Sequence, residues 1–137
     1  MENRMVEKDI HILYVTAESF PDGIVSAYEK LHKQVPASPE RKFYGLSRPE
    51  KGQGTVYKAA VEVKSPDEAK KLKLDTMVIP KGNYIAETVY NYKKDVALIR
   101  KTFDKLLKQP NIDPQGYCVE LYSPNDQDVT CMVRVVK

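Results

Sequence analysis

The fold is decided by the stretch Y-C-V-E-L-Y at residues 117–122, where one carboxylate stands among aromatic and β-branched residues. Alternation along a strand divides the stretch between two faces: Tyr117, Val119 and Leu121 on one, and Cys118, Glu120 and Tyr122 on the other. The apolar set belongs to a core. Burying an unpaired charge costs several kcal/mol, so Glu120 either faces solvent or lies in a cavity that uses it. We favour the cavity.

Composition limits the classes of function. The 137 residues, 42% hydrophobic and 30% charged, suit one soluble globular domain over residues 1–137. The 22 basic and 19 acidic residues are spread along the chain without a basic stripe, which argues against direct binding of nucleic acid. Residues 1–9 have no apolar segment that would form a signal peptide or membrane span, so we expect a cytoplasmic protein without membrane contact.

Motifs of catalysis are also few. Cys118 and Cys131 lack the spacing of metal ligands, so neither a metal nor a cofactor is expected. No nucleophile elbow, phosphate loop or zinc-protease motif occurs. Any catalysis would depend on Glu120 acting as a general base.

The order of predicted elements repeats. Each half has a strand, a helix, a strand, a turn and a strand. In the first half the first strand covers residues 10–16, and the helix starts at 19–22 and ends at 35. The second strand is 43–47, the turn is 48–54 and the last strand is 55–63. In the second half, after a strand at 75–79, they are residues 84–89, 93–108, 117–122, 123–128 and 129–136. Residues 65–73 are the candidate linker.

The two halves align in detail. Y-G-L-S at residues 44–47 matches Y-C-V-E at residues 117–120, and A-V-E-V at 60–63 matches M-V-R-V at 132–135. This indicates an α+β fold of two β-α-β-β units, pseudo-repeats at about 10–64 and 75–137. We expect a curved, mostly antiparallel sheet with the helices on one face and a central ligand groove between the halves.

Glu120 is expected on the wall of that groove. In this alignment Ser47 takes its place in the first half, with Gly45 two residues earlier, and both are too small to fill the space. An acid beside aromatic rings suits a flat, apolar cation. The candidate ligand-binding residues are Glu120, Tyr122, Tyr84, Tyr90, Cys118, Ser47 and Gly45.

The second half resembles the GyrI-like small-molecule-binding domain, also called the bacterial transcription activator effector-binding domain. The resemblance is carried by I-P-K-G-N-Y at residues 79–84, the following helix, Y-C-V-E-L-Y and the closing M-V-R-V. It implies two such units, known as SHS2 modules, around a ligand groove. It also implies that Glu120 faces cationic lipophilic ligands, as in multidrug-responsive members, and that Tyr84 matches the tyrosine of the turn motif. The helix lacks the tryptophan of many members, with Phe103 nearby instead.

Three functions are compatible with these residues. The first is a stand-alone module that senses or sequesters small cationic or amphipathic molecules and does not itself bind DNA. The second is a hydrolase of electrophilic small molecules that uses Glu120 as general base, with a tyrosine as hydrogen-bond donor. The third is a protein-interaction module of the gyrase-inhibiting type. We rank them in this order.

Overall fold

The computed structural model of the chain describes residues 1–38, 40–50, 52, 54–65 and 67–136. The strands are β1 (Glu2–Val6), β2 (Ile10–Thr16), β3 (Phe43–Glu50), β4 (Gly54–Glu62), β5 (Asp75–Ile79), β6 (Gly82–Val89), β7 (Cys118–Tyr122) and β8 (Val129–Arg134). The helices are α1 (Ile24–Gln34), α2 (Glu68–Leu72) and α3 (Ala97–Leu107), and a 3-10 turn covers Tyr92–Lys94.

The strands form one antiparallel sheet in the order β1-β6-β8-β7-β3-β4-β2-β5. The units β2-α1-β3-β4 and β6-α3-β7-β8 therefore occupy its two halves and meet where β3 pairs with β7. The strand that precedes each unit pairs with the other half, β1 with β6 and β5 with β2. The predicted α+β class and the duplicated, antiparallel arrangement are confirmed.

Both long helices pack on the same face of the sheet. Leu31 of α1 packs with Leu13 and Ala59, and Leu106 of α3 packs with Val129 and Cys131. Burial of these apolar stripes holds the helices in place, because a fully buried aliphatic side chain contributes about 1.5–3 kcal/mol. The opposite face of the curled sheet encloses a third apolar cluster: Ile12, Tyr44, Leu46, Ala60, Ile79, Tyr84, Ala86, Val119 and Met132.

Several element boundaries differ from the prediction. Strand β1 lies in the charged stretch at residues 1–9, for which no strand was predicted, and it forms because it pairs along β6 at the edge of the sheet. Helix α1 begins at Ile24 rather than at Ser19, because a tight turn, closed by the Gly23 amide donating to the Ser19 carbonyl, comes first. Helix α3 begins at Ala97, after the 3-10 turn.

The predicted turn at 48–54 is shorter than expected. Strand β3 continues to Glu50, which pairs with Gly54 at the start of β4. Within the turn, Gly52 has a φ of 79°, a conformation that glycine adopts without steric cost. Lys51 and Gln53 lie outside the described residues. The predicted linker at 65–73 contains the short helix α2, and Pro66 within it lies outside the described residues.

No helix in the described part of the chain has the length and apolar character needed to cross a membrane.

Candidate ligand-binding site

Glu120 lies at the middle of the sheet, between the two halves. Its cross-strand neighbours are Gly45 on β3 and Cys131 on β8, and Gly45 in turn pairs with Ala59 on β4. These residues form one row across the helix-bearing face. Ala59 packs against α1 and Cys131 packs against α3. Glu120 lies between these two residues in the row, so its side chain lies between the two helices.

The Glu120 carboxylate is buried and hydrogen-bonded to two phenols. The residue is 9% exposed, and its Oε1 accepts hydrogen bonds from Tyr57 Oη at 2.7 Å and from Tyr122 Oη at 2.6 Å. Both donors come from the same face of the sheet, Tyr57 from β4 and Tyr122 two residues after Glu120 on β7. Strand alternation alone therefore brings Tyr122 beside Glu120.

Gly45 makes room for this arrangement. A Cβ atom built on Gly45 would overlap the Tyr57 hydroxyl and the Glu120 carboxylate and would lie 2.8 Å from Tyr57 Cζ. Any side chain at this position would displace the Tyr57–Glu120 hydrogen bond. The glycine at the centre of the sheet is thus required by the close approach of these two side chains.

The two phenols bonded to the carboxylate pack with three further rings, and we call the five the aromatic cluster: Phe20, Tyr28, Tyr57, Tyr92 and Tyr122. Tyr28 of α1 donates to the Tyr44 carbonyl at 2.7 Å, and its hydroxyl lies 3.0 Å from that of Tyr57. The Tyr28 and Tyr92 rings both meet the Tyr122 ring edge-on, with centroids 6.0 and 5.5 Å away. Phe20 stacks on Tyr57 with centroids 6.1 Å apart. The segments that precede the two long helices therefore each contribute one ring.

Burial dominates the electrostatics of the cluster. It raises the pKa of Glu120, while the hydrogen bonds from Tyr122 and Tyr57 oppose the shift. Burial also raises the pKa of Tyr28, Tyr57 and Tyr122, which keeps their hydroxyls protonated as donors. Among the described residues Glu120 forms no ion pair. It is a buried acid without a counter-charge.

The neighbouring thiols are not activated. Burial raises the pKa of Cys118 to about 11 and that of Cys131 to about 12. Both remain thiols at neutral pH and lack the thiolate that nucleophilic catalysis requires.

The structure brings several of the predicted residues together. Tyr122, Cys118, Gly45 and Ser47 share the helix-bearing face with Glu120. The register agrees with the sequence alignment. A two-fold axis that relates Gly45 to Cys118 and Ser47 to Glu120 requires that Gly45 pair with Glu120 and Ser47 with Cys118, as the strands do. The space that the small residues of β3 leave is filled by the Tyr57 hydroxyl and the Glu120 carboxylate themselves.

Two predicted residues lie apart from the aromatic cluster. Tyr84 points to the opposite face of the sheet, where it is buried in the apolar cluster and donates to the Pro80 carbonyl at 2.6 Å. Tyr90, which follows the end of β6, is 72% exposed. The even spacing of Tyr84 from Ala86 on β6 fixes the face to which it points.

Sequence reasoning missed Phe20, Tyr28 and Tyr57. Tyr28 follows Ile24 at helical spacing, and this pattern alone indicates a residue on the core face of the helix. Tyr57, Ala59 and Val61 are spaced by two residues, so the sequence predicts that they share one face of the strand. The position of Tyr57 opposite Ser47, however, depends on the β3–β4 register. Phe20 was taken as part of a helix start. Tyr92 flanks the second helix as Tyr84 and Tyr90 do, and of these three tyrosines it is Tyr92 that reaches the aromatic cluster.

Comparison with known proteins identifies the fold. No family model matches the chain, and no curated protein matches it. Among solved structures, an integron cassette protein from the mobile metagenome of Vibrio cholerae matches with a TM-score of 0.69 and 14% identity, over 98% of this chain and 95% of that one. SAV2435 bound to tetraphenylphosphonium matches with a TM-score of 0.66 and 15% identity, over 99% and 94%.

A third solved structure, a candidate bacterial transcription regulation protein from Staphylococcus aureus MU50, matches with a TM-score of 0.57 and 12% identity, over 97% of both chains. At such low sequence identities these three matches show that the fold is shared, and they show no more than that. The α+β architecture of this chain is thus shared, over nearly the full length, with a protein that is seen with a bound lipophilic cation.

Proposed function

We propose that this chain binds a small cationic organic molecule with aromatic or amphipathic character at Glu120 and the aromatic cluster, and so acts as a sensing or sequestering module. One observation carries the proposal: Glu120 is a buried carboxylate that has no cationic partner among the described residues, and the two rings bonded to it belong to a cluster of five. A buried charge without a partner is costly. A cationic ligand would supply the missing charge.

The rings determine the kind of cation. An aromatic face attracts a cation by about 0.5–2 kcal/mol, and more strongly where water is excluded. The surrounding rings also provide apolar contact area for a flat or multi-ring ligand. An ammonium ion alone would leave this area unused, so a lipophilic cation fits better than a metal or a simple amine. The shared fold of SAV2435 makes tetraphenylphosphonium a suitable probe.

Binding requires some of the rings to move, because side chains fill the space beside Glu120. Phe20 is the exposed member of the cluster, at 44%, whereas Tyr57 beneath it is 2% exposed. Phe20 lies in the turn between β2 and α1, outside regular structure. We infer that the ligand reaches Glu120 by displacing Phe20 from the face of Tyr57.

A calorimetric titration with two ions of one shape tests the proposal. Tetraphenylphosphonium is expected to bind, and tetraphenylborate, which has the same shape and the opposite charge, is not. Glu120→Gln should weaken the binding of the cation, because it removes the counter-charge and retains the side-chain volume. Glu29→Gln, which removes a carboxylate from the exposed face of α1, is the matched control. Equal binding of the cation by wild type and Glu120→Gln would refute the proposal.

A hydrolase is the second candidate, and the raised pKa of Glu120 supports it. A carboxylate with a raised pKa is a stronger general base than an ordinary one, and Tyr57 or Tyr122 would transfer its hydrogen bond from Glu120 to the developing oxyanion. Turnover of an electrophilic ester or epoxide that disappears in Glu120→Gln would favour this function. Turnover that survives the substitution would exclude Glu120 as the base.

A further inference from the structure

A cavity whose lining shares no residue with the aromatic cluster lies beside the end of α1 and the short helix α2. Its volume is about 400 Å³. The polar side chains that line it are Gln34, Ser38, Arg41, Lys64, Ser65, Glu68 and Lys71. Arg41 pairs with Glu68, and Lys64 pairs with Glu40 at 3.5 Å, so Lys71 supplies the positive charge that these ion pairs leave over.

Arg41 is held rigidly at this cavity. Its side chain is 10% exposed, and its Nη2 is paired with the Glu68 carboxylate. Glu68 is itself fixed, because its Oε1 accepts from the Lys64 amide at 3.0 Å. The pairing keeps the pKa of Glu68 below its usual range: the hydrogen bonds from Lys64 and Arg41 outweigh burial, which by itself would raise it. One edge of the Arg41 guanidinium is thus occupied by a permanent carboxylate.

The other edge of the guanidinium is not satisfied. Arg41 Nη1 is buried and has no hydrogen-bond partner among the described residues. Buried polar groups are normally hydrogen-bonded, and leaving one unpaired is unfavourable. A guanidinium is also the group best shaped to bind the oxygens of a phosphate or carboxylate. Because Nη1 is itself buried, a ligand in the cavity has to displace neighbouring atoms to reach it, and its acceptor would then complete the hydrogen bonding of Arg41.

We propose that this cavity binds the phosphate or carboxylate group of a small molecule, through the free edge of Arg41 together with Lys71 and the hydroxyls of Ser38 and Ser65. Lys71 is exposed and forms no ion pair with the described residues, so its charge is available. Leu72 also lines the cavity and gives the organic part of the ligand an apolar contact. The proposal is independent of cation binding at Glu120.

Nuclear magnetic resonance titration of the full chain tests the site directly. Sodium phosphate and sodium acetate are added separately to ¹⁵N-labelled protein, with sodium chloride as the control at equal ionic strength. Saturable shifts are expected for the amides of Arg41, Lys64 and Ser65 with phosphate or acetate but not with chloride. The anion that saturates at the lower concentration identifies the preferred group. Failure of both anions to saturate below about 10 mM would overturn the proposal.

A pair of charge reversals provides the matched control. Lys71→Glu reverses an exposed charge at the cavity, and Lys101→Glu reverses an exposed charge on α3. Lys71→Glu should lower the affinity for the anion at least about 5-fold. Lys101→Glu should lower it less than about 2-fold, because salt screens the interaction with distant surface charges. Equal effects of the two substitutions would show that the anion responds to net charge alone, and would also overturn the proposal.

Discussion

Substitution of Gly45 by alanine is expected to disrupt the site through a single methyl group. The new Cβ would overlap the Tyr57 hydroxyl and the Glu120 carboxylate and would lie only 2.8 Å from Tyr57 Cζ, so the Tyr57 ring as well as its hydroxyl would have to move. Overpacking of a buried site costs about 1–3 kcal/mol. Loss of the Tyr57–Glu120 hydrogen bond adds roughly 1.5–3 kcal/mol, because its acceptor is a carboxylate. Alanine recovers about 0.5–1 kcal/mol of backbone entropy relative to glycine in a strand.

The net destabilisation is therefore about 3 kcal/mol. With an unfolding entropy of roughly 2.1 cal/mol/K per residue, 137 residues give about 0.29 kcal/mol/K and a fall in Tm of about 10 °C. Differential scanning calorimetry measures the fall, and urea denaturation measures the free energy of unfolding.

Gly116→Ala is the matched control, because a Cβ at Gly116 would meet its nearest neighbour, the Asp113 carbonyl oxygen, at 3.4 Å, an ordinary contact. It should change the free energy of unfolding by less than about 0.5 kcal/mol. If Gly45→Ala is as stable as Gly116→Ala, the close packing of Tyr57 and Glu120 over Gly45 is not as described.

Three further predictions concern the same cluster. Tyr57→Phe removes one of the two donors to Glu120 and should lower the free energy of unfolding by about 1–3 kcal/mol in urea denaturation, whereas a loss below about 0.5 kcal/mol would show that Tyr122 alone satisfies the acid. Phe20→Ala removes the ring that the ligand has to displace from Tyr57, so it should strengthen the binding of tetraphenylphosphonium by about 1 kcal/mol, roughly 5-fold, in calorimetry; an unchanged Kd would show that the ligand does not displace Phe20. Because the pKa of Glu120 is raised in the folded state, its contribution to stability is present below the unfolded-state pKa of about 4.3 and is lost as the pH rises through the folded-state value. As the pH rises, wild type should therefore lose unfolding free energy relative to Glu120→Gln. A difference between the two proteins that does not change with pH would contradict the raised pKa.

The sequence was sufficient to predict the architecture. The repeated order of strand, helix, strand, turn and strand indicates two equivalent units, and alternation around Glu120 places Tyr122 and Cys118 on its face. These features are local, and the structure confirms the fold that they predict. Strand β1 was missed because its pairing with β6 joins residues about eighty positions apart, and a charged edge strand has no apolar pattern.

The composition of the site depended on contacts that the sequence does not show. Tyr57 and Tyr28 reach Glu120 from another strand and from a helix, and only the sheet register and the packing of α1 bring them together. Tyr84 belongs to the motif that carries the family resemblance, and strand alternation places it on the opposite face of the sheet. A motif therefore identified the fold, and side-chain direction determined which of its members face the acid.

If Glu120 is the buried counter-charge for a cationic ligand, as we propose, its own titration must respond to the cation. The carboxyl ¹³C shift of Glu120, assigned by comparison with Glu120→Gln, is followed against pH with and without tetraphenylphosphonium. Without the cation, the pKa should lie above the usual value of about 4.3. With the cation bound, the pKa should fall, because the positive charge stabilises the carboxylate. A Glu120 pKa that stays the same when the cation is bound would contradict the account.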